Sequence, residues 1–248
     1  VYKSHRIGVV IPACNEELAV GQVVRGLRAL RDDGGHLLID DIVVCDNGSD
    51  DATATVAQAA GARVVYELQR GYGHACLAGI KALYPVGIVL FVDADRSVRI
   101  EEAQTLLAAI TNGADVVIGS RALGKLEVGA MTFSQRFGNG LAAWLIRCLW
   151  KHPTTDLGPF RAVTWDSLCD LQMSSKTYGW TVEMQVKAIQ LGMDVREVPA
   201  SCNNRIGVSK ISGTLKGVIG AGVGILGTIF MLYLRGPRKR LADHSLSR

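Results

Sequence analysis

Short apolar runs recur through the first half of the chain, at Ile7 to Ile11, Ile42 to Cys45, Arg63 to Tyr66, Ile88 to Val92 and Val116 to Ile118. Runs of this length, rich in Val and Ile and bounded by polar turns, predict buried strands. Between them Glu17 to Leu30, Ala52 to Ala60, Ala75 to Leu83 and Glu101 to Ile110 carry Ala, Leu and Val at helical spacing. Strand and helix in alternation predict an α/β fold with a mainly parallel, Rossmann-like sheet and helices on both faces. Ser49 and Asp50 offer N-cap chemistry to the second helix.

Beyond residue 130 the rhythm changes. Phe133 to Trp150 predicts a helix with Leu141, Trp144, Leu145, Cys148 and Leu149 on or near one face. A short apolar stretch, Phe160 to Val163, follows a Gly-Pro turn, and Val182 to Leu191 predicts another helix. Gly217 to Leu234 holds 18 uncharged residues, five of them glycine, at the lower edge of what a membrane span needs. Gly220 and Gly224 form a G-x-x-x-G suited to helix packing. A single span from a cytosolic domain would export Arg235, Arg238, Lys239 and Arg240, against the positive-inside rule. The expectation is therefore an interfacial or re-entrant helix, or one packed on a partner subunit, with both basic flanks on the cytosolic side; a true span and burial against the domain are the alternatives. The chain divides into 1–212, a catalytic domain, 213–236, an apolar membrane-associating or packing helix, and 237–248, a basic tail expected to be disordered.

Open parallel sheets gather ligands at the carboxyl ends of their strands, and the polar clusters fall there. Strand one ends in Pro12-Ala13-Cys14-Asn15-Glu16, strand two in Asp46-Asn47-Gly48-Ser49-Asp50-Asp51, strand four in Asp93-Ala94-Asp95, strand five in Gly119-Ser120-Arg121. Two carboxylates one residue apart beyond a buried strand can share one Mg²⁺ or Mn²⁺, which prefers oxygen ligands and bridges diphosphates. Asp46 offers an acceptor for the N–H edge of uracil or guanine. Asn15 and Glu16 suit either capping of the first helix or a nucleoside, and Asp50 and Asp51 suit capping. Arg70-Gly71-Tyr72-Gly73 opens a helix whose N–H groups can meet an anion. Arg205-Ile206-Gly207-Val208-Ser209-Lys210 joins two cations and a glycine in a loop that can close over a diphosphate.

A chain of 248 residues buries one core unaided. Its net charge of +4 is spread along the sequence, which argues against nucleic acid and suits a phosphate-bearing substrate or an anionic membrane surface. A mean hydropathy of +0.21 leans toward contact with lipid, and a greasy surface also makes a second copy a candidate partner. The six cysteines form no C-x-x-C pair, so neither zinc nor a disulfide framework is expected. With no secretory leader ahead of the first strand, reduced thiols in a cytoplasmic protein are expected.

Together these motifs, with Thr155-Asp156-Leu157-Gly158-Pro159-Phe160-Arg161 and Gly179-Trp180-Thr181-Val182-Glu183, resemble the family 2 glycosyltransferases of GT-A fold. The resemblance is strongest to the branch similar to dolichol-phosphate mannose synthase and runs from about Arg6 to Lys210. It implies an inverting transfer of one hexose from a UDP- or GDP-sugar to a polyprenyl phosphate. It further implies that Pro12, Asn15, Glu16, Asp46, Arg70, Gly73 and Ala94 meet the donor nucleotide. Asp93 and Asp95 would hold metal and diphosphate, with Ser97 reaching the metal through its hydroxyl. Arg121, Arg161, Arg205 and Lys210 would meet phosphates, and Asp156 and Glu183 are the candidate bases; Glu183 orienting Arg161 is the structural alternative. Related sequences often carry Gly-Gln or Leu-Ser after the second acid, whereas Arg96 here sets a cation beside the pair. The Gln-x-x-Arg-Trp signature of processive members is absent, which implies single-sugar transfer. The alternatives are transfer to a soluble hydroxyl acceptor, a sugar-phosphate nucleotidyltransferase and a non-catalytic lipid-surface binder.

Overall fold

Both faces of the sheet are apolar, and this decides the architecture. In β1 (Ile7–Ala13) Val9 and Ile11 enter one core and Val10 the other. In β4 (Ile88–Phe91) Ile88 and Leu90 divide in the same way from Val89 and Phe91. Successive side chains of a strand point to opposite faces, so a sheet built from such strands needs helices on both sides. The computed structural model describes residues 2–207 and 215–236, apart from the side chains of 215–219 and 221. Lys210 and the tail at 237–248 lie outside the described residues.

The elements run β1, α1 (Val20–Ala29), β2 (Asp41–Asp46), α2 (Thr53–Ala59), β3 (Arg63–Tyr66), α3 (Tyr72–Ala82), β4 and α4 (Ala103–Thr111). They continue through β5 (Val116–Ser120), α5 (Phe133–Trp150), β6 (Arg161–Thr164), α6 (Trp165–Leu171), α7 (Trp180–Gln190), β7 (Val195–Pro199) and α8 (Leu215–Arg235). The seven strands are ordered β3-β2-β1-β4-β6-β5-β7, and β6 alone runs antiparallel to its neighbours. Helices α1 and α4 cover one face, and α3, α6 and α7 the other.

Two local expectations change. Helix α1 starts at Val20 rather than Glu17, because the Glu16 carbonyl accepts the Ala19 and Val20 N–H groups in a turn. Neither Asn15 nor Glu16 caps it through a side chain. Ser49 and Asp50 do not cap α2. Ser49 Oγ accepts the Asn15 N–H at 2.9 Å, and the Asp50 N–H donates to Asn15 Oδ1 at 2.7 Å. They stitch together the loops that leave the parallel neighbours β1 and β2 at the same edge. The first N–H of α2, on Thr53, is met instead by Asp51 at 2.9 Å.

Helix α8 lies on the domain. Ile229 and Leu232 are buried against Ala142 and Ile146 of α5 and Val182 and Val186 of α7. Its other face exposes Val223, Phe230 and Leu234. Gly220 and Gly224 face the Tyr178 side chain rather than a second helix. Among the described residues no helix is long and apolar enough to cross a membrane.

Behind α7 sits a buried ion pair. Lys187 Nζ lies 2.6 Å from Glu183 Oε1 and donates to the Gln172 carbonyl at 2.6 Å. The Glu183 carboxylate also accepts the Ser174 hydroxyl at 2.6 Å and the Ser175 N–H at 2.7 Å. Burial alone would raise its pKa, but Lys187 and the serines hold it below the ordinary carboxylate range. The pair thereby fixes the segment from Gln172 to Ser175. Lys187→Met leaves that carboxylate buried without its cation and is expected to cost about 3–5 kcal/mol in urea unfolding at pH 7. A depressed pKa contributes stability that is lost as pH falls, so the difference between wild type and variant should shrink below about pH 4.

Candidate active site

Six loops at the carboxyl edge of the sheet enclose a cavity of about 420 Å³. Pro12 to Glu16 come from the end of β1, Asn47 from β2, Arg70 to Tyr72 from the turn before α3, and Asp93 to Asp95 from beyond β4. Thr177 and Tyr178 come from the turn before α7, and Arg205 from the segment after β7. Pro12, Asn15, Glu16, Arg70, Asp93, Ala94, Asp95 and Arg205 therefore meet on one wall, as the sequence motifs predict.

Asp46 and Gly73 do not line it. Asp46 is buried, and its Oδ1 accepts the Ser49 N–H at 2.8 Å, which shapes the loop from behind. Its neighbour Asn47 lines the cavity. The Asn47 amide donates to the Glu67 and Gln69 carbonyls at 2.8 and 2.9 Å and accepts the Gly71 N–H at 2.7 Å, so it fixes the Arg70 turn. Arg70 in turn donates to the Gly48 carbonyl at 2.9 Å. The glycines at 71 and 73 allow close packing. A Cβ at either would run into the Lys176 or Ser175 carbonyl oxygen, and the His74 N–H is already donated to Lys176.

The carboxylate pair sets the electrostatics. Tyr72 donates its hydroxyl to Asp93 Oδ1 at 2.9 Å, Arg205 pairs with Asp95 Oδ2 at 3.0 Å, and the Ser97 N–H bonds Asp95 Oδ1 at 2.9 Å. Burial first, and the charge of Asp95 second, push the Asp93 pKa up to about 7 against the opposing pull of Tyr72, Arg205 and Arg121. Two hard oxygen donors that repel each other, one already facing a cation, form a donor set that fits Mg²⁺ or Mn²⁺. Ser97 meets Asp95 through its backbone N–H, and its side chain lines neither this cavity nor its neighbour. Arg96 is exposed in the left-handed region at φ 60° and is likewise off both walls; the cation beside the acids is Arg205.

A second cavity, of about 580 Å³, opens from Asp93 between α5 and α8. Asp93, Arg121 and Arg205 stand on its wall with Phe133, Phe137, Leu141, Ile225 and Leu226. Arg121 is held by a bidentate pair with Asp156, at 2.8 and 2.7 Å. Asp156 itself is fully buried and off both walls. Burial would raise its pKa, yet Arg121 and the Arg121 and Leu157 N–H groups bring it below the ordinary value. Its oxygens are thus taken up by Arg121 and by the Arg121 and Leu157 N–H groups, and it stands behind Arg121 rather than on a cavity wall.

Arg161 and Glu183 lie off both walls as well. Arg161 is 1% exposed and donates to the Gly158 and Thr181 carbonyls, each at 2.7 Å, and to Gln185. Burial lowers its pKa to about 10. It ties β6 to α7. Glu183 pairs with Lys187 rather than orienting Arg161. Tyr72, Tyr178 and Asn47 are wall residues to which the sequence motifs assign no role; Tyr72 and Asn47 fall inside quoted motifs, and Tyr178 follows the polar run Ser174-Ser175-Lys176-Thr177 just ahead of one.

Comparison with known proteins fits this geometry. Residues 8–169 match the family model of glycosyl transferase family 2. An uncharacterized glycosyltransferase of Mycobacterium tuberculosis is 34% identical over 86% of this chain and 93% of its own length. A dolichyl-phosphate hexose transferase of Haloferax volcanii is 30% identical over 85% of this chain and 88% of its own. The crystal structure of glucosyl-3-phosphoglycerate synthase from Mycobacterium tuberculosis, in complex with Mn²⁺, UDP and phosphoglyceric acid, superposes with a TM-score of 0.74. At 22% identity, over 93% of this chain and 79% of that one, it is a likeness of GT-A fold. The match of the family model over most of the sheet, with a relative aligned across nearly the whole chain, means that this protein belongs to glycosyl transferase family 2 and is a glycosyltransferase.

Proposed function

We propose that the enzyme moves one hexose from a UDP- or GDP-sugar to a polyprenyl phosphate at a membrane surface, inverting the anomeric carbon. One observation carries the lipid acceptor: the cavity between α5 and α8 has mostly apolar walls and two arginines on them, Arg121 and Arg205, and Asp93 is its sole acid among the described residues. A sugar hydroxyl must lose a proton to a positioned base. A phosphate monoester is already anionic near neutral pH and needs none. The name of the Haloferax volcanii relative, a dolichyl-phosphate hexose transferase, supports the same class of acceptor.

In this reading the nucleoside lies between the Pro12 to Glu16 loop and Asn47, with the diphosphate at Asp93 and Asp95. Mg²⁺ or Mn²⁺ held by those acids would neutralise the diphosphate and ease its departure. Arg205 borders both cavities and can counter phosphate charge on either side. Arg121, fixed by Asp156, orients the acceptor phosphate toward the junction of the cavities. Exposed Phe133 and Phe137 on α5, with Val223, Phe230 and Leu234 on α8, offer an apolar surface of the kind that sits in a lipid interface.

Purified enzyme with Mn²⁺ is expected to turn over a UDP- or GDP-hexose and to favour polyprenyl phosphate over 3-phosphoglycerate and water; transfer to the small acid alone would sink the lipid reading. Leu226→Asp places a charge in the apolar wall and should lower lipid transfer by about tenfold or more while donor hydrolysis persists. Asp156→Asn weakens the hold on Arg121 and should raise the acceptor KM by about tenfold, with the donor KM unchanged.

A further test uses pH. Metal binding requires Asp93 ionised, so Mn²⁺ affinity measured by calorimetry should climb as pH passes through about 7. A carboxyl with a raised folded pKa costs stability as pH rises from the ordinary carboxylate range toward that value. Asp93→Asn should therefore raise the Tm at pH 8, leave it nearly unchanged at pH 4, and abolish Mn²⁺ binding.

A further inference from the structure

Four residues border both cavities: Tyr72, Asp93, Tyr178 and Arg205. In a transfer between a donor in one cavity and an acceptor in the other, these surround the sugar that changes hands. Three are committed to the acids, since the Tyr72 hydroxyl bonds Asp93 and Arg205 pairs with Asp95. No hydrogen bond ties the Tyr178 hydroxyl to another described residue. Its ring is half-buried and stands in the wall between the two spaces.

The backbone of Tyr178 is held from both sides. On the donor side Ser175 and Lys176 press their carbonyls against Gly73 and Gly71, the His74 N–H donates to Lys176 at 3.0 Å, and Glu183 accepts the Ser175 N–H. On the acceptor side Gly179 leaves no room for a Cβ against Thr228 of α8. The ring itself lies along the glycine face of α8, where a Cβ at Gly224 or Gly220 would come to 3.5 or 3.7 Å from Tyr178. The fold thus fixes the main chain tightly and gives the ring a smooth bed.

Resting on the donor and acceptor assignment above, we propose that Tyr178 is the residue that recognises the transferred hexose. Its aromatic face packs the C–H face of the pyranose, and its hydroxyl bonds a ring hydroxyl. A phenol combines an apolar face with one directional polar group, which suits discrimination between sugars that differ at a single hydroxyl. The role concerns the sugar and not the nucleoside, whose place in this reading is between the loops after β1 and β2.

The test compares wild type, Tyr178→Phe and Tyr178→Ala in two measurements. The first is UDP and GDP binding by calorimetry with Mn²⁺. The second is kcat/KM for a panel of UDP- and GDP-hexoses with polyprenyl phosphate. Nucleoside diphosphate Kd values are expected to stay within about twofold in both variants. For the preferred sugar kcat/KM should fall about tenfold in Tyr178→Phe, with the gap between epimeric donors narrowing by a similar factor, and about a hundredfold in Tyr178→Ala. Tyr178→Phe loses one oxygen and keeps the packing against α8, so its narrowed selectivity cannot come from misfolding. Unchanged selectivity in Tyr178→Phe, or nucleoside diphosphate binding lost in step with turnover, would overturn the proposal while leaving the donor site standing. Wild-type enzyme that binds neither UDP nor GDP would overturn the donor site and this proposal together.

Discussion

Two carboxylates one residue apart at the end of a buried strand repel each other, and the site is arranged around that repulsion. Tyr72 lends Asp93 a hydroxyl, Arg205 gives Asp95 a cation, and the Ile206 N–H bonds the Asp95 carbonyl to draw its segment over the pair. The help is incomplete, as the raised Asp93 pKa records. A fold selected only for stability would remove one of the two charges. Retaining both at a cavity wall is the signature of a site that trades stability for a cationic ligand.

The supports of this site stand one layer behind it. Asp156 fixes Arg121, and Glu183 with Lys187 fixes the 172–175 segment, which packs on the glycines before and within α3. Arg161 joins β6 to α7 through carbonyls. Each of these buried charges is saturated with partners, as low dielectric surroundings require. Their fixed positions matter because the wall residues in front of them would otherwise wander by more than a transfer geometry tolerates.

Helix α8 connects the catalytic edge to the apolar surface. One stripe of it closes the cluster with α5 and α7, another lines the cavity that begins at Asp93, and a third is exposed. Two of its glycines, Gly220 and Gly224, make room for Tyr178. The same 21 residues therefore shape a cavity and present a greasy face, two uses that a period count cannot separate.

The sequence by itself determined the βαβ order, the apolar runs that become β1 to β5, the limits of α5, and the clustering of polar motifs at strand ends. These are local properties, read from alternation and helical period within a few residues. It also placed Asp93, Ala94 and Asp95 at the mouth of the sheet, because a buried strand must end where its first acids begin. Only the tertiary structure decided which strand-end groups face the cavity. Asp46 turns inward to Ser49 while its neighbour Asn47 lines the wall, a choice made by the path of a loop packed on the β1 loop. Glu183 and Asp156 look alike as acids in the sequence, yet the fold pairs one with Lys187 and the other with Arg121 and sets both off the cavity walls. Tyr178 becomes a wall residue only because α7 and α8 meet beside the Arg70 turn. Whether a polar group performs chemistry or holds structure depends on contacts between segments far apart in the chain, and no local pattern records those contacts.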